Sequence, residues 1–324
     1  MLTRALGRLL LIVLLFPADP LAAPAGQGPA DDVVSLEADL VLVDVQVFGK
    51  KTGLPVDGLA AADFLVFEDG VPQRIAHFSR DTLPLSIVLL LDLSLSVRPQ
   101  LGQIRDGAVE ALGQLKPGDE TAVIAFGSRA VLVQEFTRDP RAAADGVRRA
   151  VETADVGPET KLTGALAETA AFANRTARPG ARRVIIVVTD NFGSEAVLKT
   201  KDALIELFAS GAVVCALVPP PSRLADASPQ DPFVFPLTGK TVDQFVEETG
   251  GLMAEVGSKN AGAALAELIR TLRARYALAY EPSNTRADGK MRRIRVELSP
   301  AAAKRTGKVS VRARKGYYRG RPTR

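Results

Sequence analysis

LSIVLLLDLSLS, Leu85–Ser96, decides how this chain folds. Seven residues, apolar except for Ser86, run without interruption into Asp92, and serines follow at every second position, Ser94 and Ser96. A continuous apolar run bounded by polar residues predicts a parallel strand buried on both faces. Open α/β sheets place their ligands outside the carboxyl ends of such strands. One carboxylate and two hydroxyls are thus offered from a single turn. Oxygen-only donors of this kind suit a hard divalent cation, magnesium first.

Outward from this stretch the rhythm is strand, helix, strand. Pro99 opens a helix with Leu101, Ile104, Ala108, Leu112 and Leu115 on one face, stopped by Pro117-Gly118. Thr121–Phe126 and Val131–Phe136 read as short strands, and Pro140–Val151 and Lys161–Ala173 as helices. Arg183–Asp190, RVIIVVTD, is a second buried strand ending in an aspartate; Gly211–Val218 is a third, after a helix over Ala196–Ala209. A proline-rich loop, Pro219–Pro236, precedes a helix at Val242–Glu248, a strand at Leu252–Val256 and a last helix, Asn260–Arg275, with Asn260 as its cap. The alternation predicts a doubly wound, mostly parallel α/β sheet.

Both flanks have a period of two. Val33–Val47 is strand-like, its alternation changing face near Leu40–Val43. Phe64–Glu68 and Val71–Phe78 predict a hairpin around Asp69-Gly70. Near the other end, Ile294, Val296 and Leu298 alternate with Arg293, Arg295 and Glu297, and Val309, Val311 and Ala313 alternate with basic and polar residues. These strands lack intervening helices, so they fall outside the parallel sheet. The expectation is a small β module built from the two ends of the chain: residues 33–80 and 276–320 around an α/β domain at 85–275.

A cation site needs donors from other loops at the same sheet edge. Thr160, in Gly157-Pro158-Glu159-Thr160-Lys161-Leu162 at the start of a helix, and Asp190, at the end of RVIIVVTD, are in the right places. Asp-x-Ser-x-Ser, a later Gly-x-x-Thr-x-Leu and a strand ending Thr-Asp resemble the metal-ion-dependent adhesion site of the von Willebrand factor type A domain, over roughly 85–275. The flanking Leu59-x-x-x-Asp63-Phe64-x-x-x-Glu68-Asp69-Gly70, Tyr276–Tyr280 and Val311-Arg312-Ala313-Arg314-Lys315-Gly316-Tyr317-Tyr318 are similar to its secreted bacterial relatives of acidobacterial type. The resemblance implies a Rossmann-like fold. It implies Ser94 and Ser96 as direct ligands of Mg2+ (or Mn2+ or Ca2+), Thr160 as a direct or water-mediated one, and Asp92 and Asp190 acting mostly through water or the serines. It further implies a protein partner whose exposed acidic side chain completes the shell, with no bond chemistry. The chain departs from the family pattern at four glycine positions: Leu95 between the serines, Pro158 and Glu159 before the threonine, and Asn191 after the aspartate. Glu159 there is a potential competitor for a partner's carboxylate.

The rest of the sequence narrows the function. Met1–Ala25, with Arg4 and Arg8 ahead of the apolar core Leu9–Phe16 and then Pro17 and small residues, reads as a secretory signal cut after Ala23 or Ala25. It implies export to the periplasm or beyond, with Gly26–Asp32 as a loose leader. The one cysteine, Cys215, lies in an apolar run and allows no internal disulfide. His77 is the one histidine, and no Gly-x-Ser-x-Gly is present, so neither zinc nor serine chemistry has its parts; the reading is not of an enzyme. Gly239-Lys240-Thr241 resembles the end of a phosphate loop, but Val234 stands where the earlier glycine belongs. From Arg270 onward there are 17 lysines and arginines against three acids, leaving 24 basic and 34 acidic residues before it. This basic end is either a solvated strand face or an attraction to an anionic surface; nucleic acid is not expected for an exported chain. A metal-indifferent structural module of an envelope assembly is the alternative reading.

Overall fold

The computed structural model describes residues 40–80, 83–193, 200–219, 238–239, 241–255 and 261–320. The signal and leader, the beginning of the strand expected from Val33, residues 196–199 of an expected helix, nearly all of the proline-rich loop, Lys240 and the Asn260 cap lie outside the described residues.

The chain opens with four strands, β1 (Val41–Gly49), β2 (Phe64–Glu68), β3 (Val71–Gln73) and β4 (Ile75–Arg80). The α/β part follows: β5 (Leu85–Asp92), α1 (Leu101–Leu112), β6 (Glu120–Phe126), β7 (Ala130–Thr137), α2 (Pro140–Thr153), α3 (Leu162–Thr176) and β8 (Arg182–Val188). It continues through β9 (Phe192–Gly193), α4 (Thr200–Ser210), β10 (Val213–Val218), β11 (Thr238–Gly239), α5 (Thr241–Thr249), β12 (Met253–Glu255) and α6 (Ala261–Leu272). The chain then returns to strands with β13 (Tyr276–Tyr280), β14 (Met291–Leu298), a short α7 (Pro300–Thr306), β15 (Val309–Ala313) and β16 (Gly316–Tyr318).

The central sheet has the order β12-β10-β8-β5-β6-β7, parallel throughout except for the β6–β7 pair. Every residue of β5 is buried. Its side chains alternate between two cores, as its uninterrupted apolar run requires. Ile87, Leu89 and Leu91 pack with α1, α2 and α6 through Ile104, Val147 and Leu265. Val88 and Leu90 pack with α3, α4 and α5 through Leu166, Leu207 and Phe245. The sheet is therefore covered by helices on both sides. Its strand order reverses at β5, with β6 on one side and β8 on the other. The carboxyl ends of β5 and β8 flank that reversal, where an open α/β sheet leaves a crevice.

The flanking strands form two four-stranded antiparallel sheets, β15-β1-β13-β4 and β16-β14-β2-β3. Val41, Val43, Val45 and Val47 of β1 face a shared core with Phe64, Val66, Tyr276, Leu278, Tyr280 and Ile294. N-terminal strands are thus hydrogen-bonded to C-terminal ones, β1 to β13 and β15, and β2 to β14. No change of face is seen at Leu40–Val43 among the described residues: Val41, Val43, Val45 and Val47 all point inward and Leu42 is exposed, while the stretch covered on both sides is Val45–Phe48.

Three local expectations need correction. The hairpin turn at Asp69-Gly70 is present, but its second arm divides. β3 stops at Gln73 on the edge of one sheet and β4 runs in the other. Pro72 has no N–H to donate, which confines β3 to an edge. The C-terminal flank also contains a helix, α7, where only strands are expected. Its signals are local: Ser299 caps the Ala302 N–H at 3.3 Å, Pro300 is the first helical residue, and Gly307 closes it at φ 72°. Finally, Thr160 stands two residues before α3 and Asp190 two residues beyond β8, so both belong to loops.

The basic C-terminal segment is partly neutralised within the molecule. Arg293 reaches Glu248 at 3.1 Å, Lys315 pairs with Glu247, and Arg305 reaches Asp63 at 2.9 Å. The first two pairs tie the β module to α5. The backbone adds to that junction, with Lys315 N–H donating to Glu248 O at 2.8 Å; apart from it, the buried Arg275, just before β13, donates to the buried Gln46 of β1 at 3.1 Å.

Candidate functional site

Four loops meet at the carboxyl edge of the central sheet. The first leaves β5 and carries Asp92, Ser94 and Ser96. Asp92 and Ser94 are each 1% exposed, and Ser96 is half-buried. Asp92 Oδ1 accepts the Ser94 N–H at 2.9 Å, a tight local turn that brings the Ser94 and Ser96 hydroxyls within 3.3 Å of each other. The other carboxylate oxygen, Oδ2, accepts the Thr189 hydroxyl at 2.7 Å from the loop after β8. Asp190 follows Thr189 and is buried. Burial pushes the Asp92 carboxyl up to about 6, against the pull of its bonds from Ser94 and Thr189; the negative charge of Asp190 adds to the rise. Asp92 and Asp190 are thus two buried acids at the ends of neighbouring strands.

The loop with Thr160 is fastened to this turn. Leu95 N–H donates to Pro158 O at 3.2 Å, and Lys161 N–H donates to Gly127 O at 3.0 Å. Gly127, just after β6, has no room for a side chain: a Cβ there would lie 2.4 Å from Gly157 O. Its small size lets the fourth loop, between β6 and β7, nest under the Thr160 loop. Thr160 itself is buried. The five residues singled out in the sequence occupy three loops: the Asp92 turn is hydrogen-bonded to the Thr160 loop through Leu95 N–H and Pro158 O, and to the Asp190 loop through the Thr189 hydroxyl.

The departures from the family pattern have identifiable consequences. Asn191 sits at φ 63°, a left-handed conformation that glycine adopts freely and asparagine tolerates best among the rest. Its side chain accepts the Val242 N–H at 2.9 Å and donates to Asp243 at 3.1 Å, anchoring the Asp190 loop to the start of α5. Glu159 is drawn to Lys161 at 2.8 Å, and that partner holds its carboxyl below the usual range. Leu95 is 50% exposed.

Thr189 is the partner of Asp92 that the sequence reading leaves out. It was visible as the first residue of the strand-ending Thr-Asp pair, but only the approach of β8 to β5 shows which carboxylate it serves. The remaining chemistry-bearing residues lie elsewhere. His77 is on β4, and Cys215 is fully buried in β10, where burial pushes its thiol up. Among the described residues, no three His, Cys, Asp or Glu side chains gather in metal-binding proximity. A groove of about 420 Å³ lies on the β module, lined by Phe64, Leu65, Phe67, Pro72 and Ile75 among others, on elements separate from these loops.

Residues 87–193 match the family model of the von Willebrand factor type A domain. Among solved structures, the chain is similar to an aerotolerance-related membrane protein from Bacteroides fragilis carrying multiple mutations to serines. That match is 20% identical with a TM-score of 0.43 and covers 58% of this chain and 98% of the other. BatB, a conserved hypothetical protein from Bacteroides thetaiotaomicron, is 18% identical with a TM-score of 0.44 over the same shares. Proximal thread matrix protein 1 from the mussel byssus is 15% identical with a TM-score of 0.47, covering 64% of this chain and 51% of its own. No curated protein sequence matches.

Proposed function

From a chain that carries a von Willebrand factor type A domain, we propose an exported binding protein that grips an acidic side chain of a partner protein through a divalent cation held at Asp92, Ser94, Ser96, Thr160 and Asp190. The domain family supports a role in protein–protein interaction or adhesion; the cation and the acidic partner go beyond what the family supports. The observation that carries it is the approach of two hydroxyls, Ser94 and Ser96, on the turn of the buried Asp92, which the Thr189 hydroxyl ties to the loop of the buried Asp190.

The donor set fits a hard cation. Oxygens around an octahedral Mg2+ at about 2.0–2.1 Å stand about 2.9 Å apart, and those around Ca2+ at about 2.4 Å stand about 3.4 Å apart. The 3.3 Å between the Ser94 and Ser96 hydroxyls suits the second and is a small side-chain rotation from the first. Ser94, Ser96 and Thr160 supply neutral oxygens. Asp92 and Asp190 sit behind them; Asp92 is already occupied by Ser94 N–H and the Thr189 hydroxyl, and so orients rather than surrounds. When bound, the cation supplies an under-neutralised positive charge that accepts a carboxylate. The sole histidine and sole cysteine lie on other elements, which favours binding over catalysis. Export rests on the Met1–Ala25 segment, and no described helix is long and apolar enough to cross a membrane.

Thermal melts of the mature chain test the reading. Saturating Mg2+ at about 100 times its dissociation constant stabilises by about 2.7 kcal/mol, and Ser94→Ala abolishes the gain. Identical melting curves in Mg2+, Mn2+, Ca2+ and EDTA would leave the alternative, a metal-indifferent structural module of an envelope assembly. That alternative is favoured by one observation, that both Asp92 oxygens already have donors from the chain.

A further inference from the structure

Asp44 stands among three guanidinium groups where the β module meets the central sheet. In β1, Asp44 and Gln46 lie on the face away from the valine core, and Gln46 donates to Thr271 O of α6 across 2.8 Å. Side chains two residues apart share a face of a sheet. Arg312 of β15 is opposite Gln46, which puts Arg312 and Arg314 on that face. Ala277 of β13 is opposite Asp44, which puts Arg275 there as well. Arg182, the first residue of β8, approaches from the central sheet: its Nη2 is 3.3 Å from Asp44 Oδ1, and Arg275 Nη1 is 3.8 Å from Oδ2. Arg312 is exposed and turns to Gly251 O at 2.9 Å, leaving Arg182, Arg275 and Arg314 around the carboxylate.

Two of these groups are short of acceptors. Arg275 is 3% exposed; its Nη2 donates to Gln46 at 3.1 Å, its Nη1 is too far from Asp44 for a hydrogen bond, and its Nε has no partner. Arg314 Nε is also buried without one. Burial holds both guanidinium groups below their usual range, with the charge of Asp44 opposing that shift in each. A guanidinium carries five N–H donors, and burying its charge with donors unfilled is costly unless an acceptor joins it. The place is open to water on one side, since the Asp44 side chain is 29% exposed and Arg314 is half-buried. We propose that this junction binds a small tetrahedral oxyanion, of the charge and shape of inorganic phosphate, over Asp44 and between Arg275 and Arg314. Planar guanidinium groups match such oxygens two at a time. Asp44 repels the anion and keeps its affinity moderate, while the bound anion ties β1, β13 and the end of β15 together beside β8. Arg182 lies at the opposite end of β8 from Thr189, so this site is independent of the cation reading.

Titration calorimetry of the full mature chain with inorganic phosphate, in EDTA and at fixed ionic strength, tests the proposal. EDTA keeps a cation at the other end of the sheet from contributing. Phosphate binds saturably, and sulfate competes with it. Arg314→Gln, at a half-buried position, weakens phosphate about tenfold or more, as loss of a charge-assisted hydrogen bond does. Asp44→Asn removes the repelling carboxylate and tightens phosphate, and its melting point rises more with phosphate than that of the unaltered chain. A chain that gives no saturable phosphate heat overturns the site. Binding that Arg314→Gln leaves unchanged, or that Asp44→Asn weakens, overturns it as well, because the anion then sits elsewhere.

Discussion

The Thr189 hydroxyl donates to Asp92 Oδ2 across 2.7 Å, joining the carboxyl ends of β8 and β5. The two residues are neighbours only because β8 pairs with β5 in register, Leu91 opposite Val188. Asp92 is buried, and each donor it keeps offsets part of its desolvation.

Thr189→Val keeps the shape of the side chain and removes the donor. It leaves a buried carboxylate oxygen unpaired, at a cost of about 1–3 kcal/mol in urea unfolding. Thr189→Ser restores most of it. The rise in melting point with Mg2+ is also smaller in the valine variant, because Asp92 loses the bond that orients it. A valine variant with unchanged stability would show that this bond contributes nothing.

A second prediction concerns α1 and α6, which cross at Gly107 and Gly262. A Cβ on Gly107 would lie 2.5 Å from the Gly262 backbone nitrogen, so Gly107→Ala forces the helices apart. The expected loss is about 1–3 kcal/mol. Gly102, one turn earlier on α1, has open space around it; Gly102→Ala stabilises by up to about 1 kcal/mol through helix propensity. Equal effects of the two substitutions would contradict the close crossing.

Alkaline pH probes the β module. Tyr280 and Tyr317 both donate to Glu68 Oε2, at 2.7 and 2.9 Å. Burial first, then the bond to Glu68 and its charge, push both hydroxyls up, Tyr317 to about 12. Tyrosines in the unfolded chain ionise near about 10. The folded chain thus keeps protons that the unfolded chain releases, so this stability is complete below pH about 10 and is lost as pH climbs toward and through about 12. Tyr280→Phe/Tyr317→Phe flattens that fall. It also lowers stability at pH 7 by about 3 kcal/mol, because the buried Glu68 carboxylate loses both donors. Denaturant melts from pH 7 to 11 read both effects.

Ending the chain after Arg275 removes β13 to β16. β1 then loses both neighbours and β2 loses β14, exposing strand edges and the apolar face of Val41, Val43, Val45 and Val47. Aggregation is expected, read by light scattering during gel filtration. A soluble monomeric truncation would show that the N-terminal strands do not need their C-terminal partners.

The site was legible to different depths in the sequence. Asp92, Ser94 and Ser96 could be read together because one short turn holds them. Thr160 and Asp190 could be placed at the same edge because strand ends in a parallel sheet share one rim. Nothing local marked Thr189 as the donor to Asp92, or set Pro158 O against Leu95 N–H. The helix α7 was announced by Ser299-Pro300 and Gly307, yet the alternating residues on either side masked it.

By itself the sequence determined the alternation of buried strands and helices, the β character of both flanks and the order of the oxygen-bearing residues, since apolar periodicity and turn chemistry act over a few residues. The tertiary structure alone decided that β3 and β4 part into two sheets, that Lys315 and Arg293 settle on the acids of α5, and that Asp92 takes its second donor from the loop after β8. Those outcomes rest on contacts between residues far apart in the chain, and such contacts leave no mark in the local pattern of either partner.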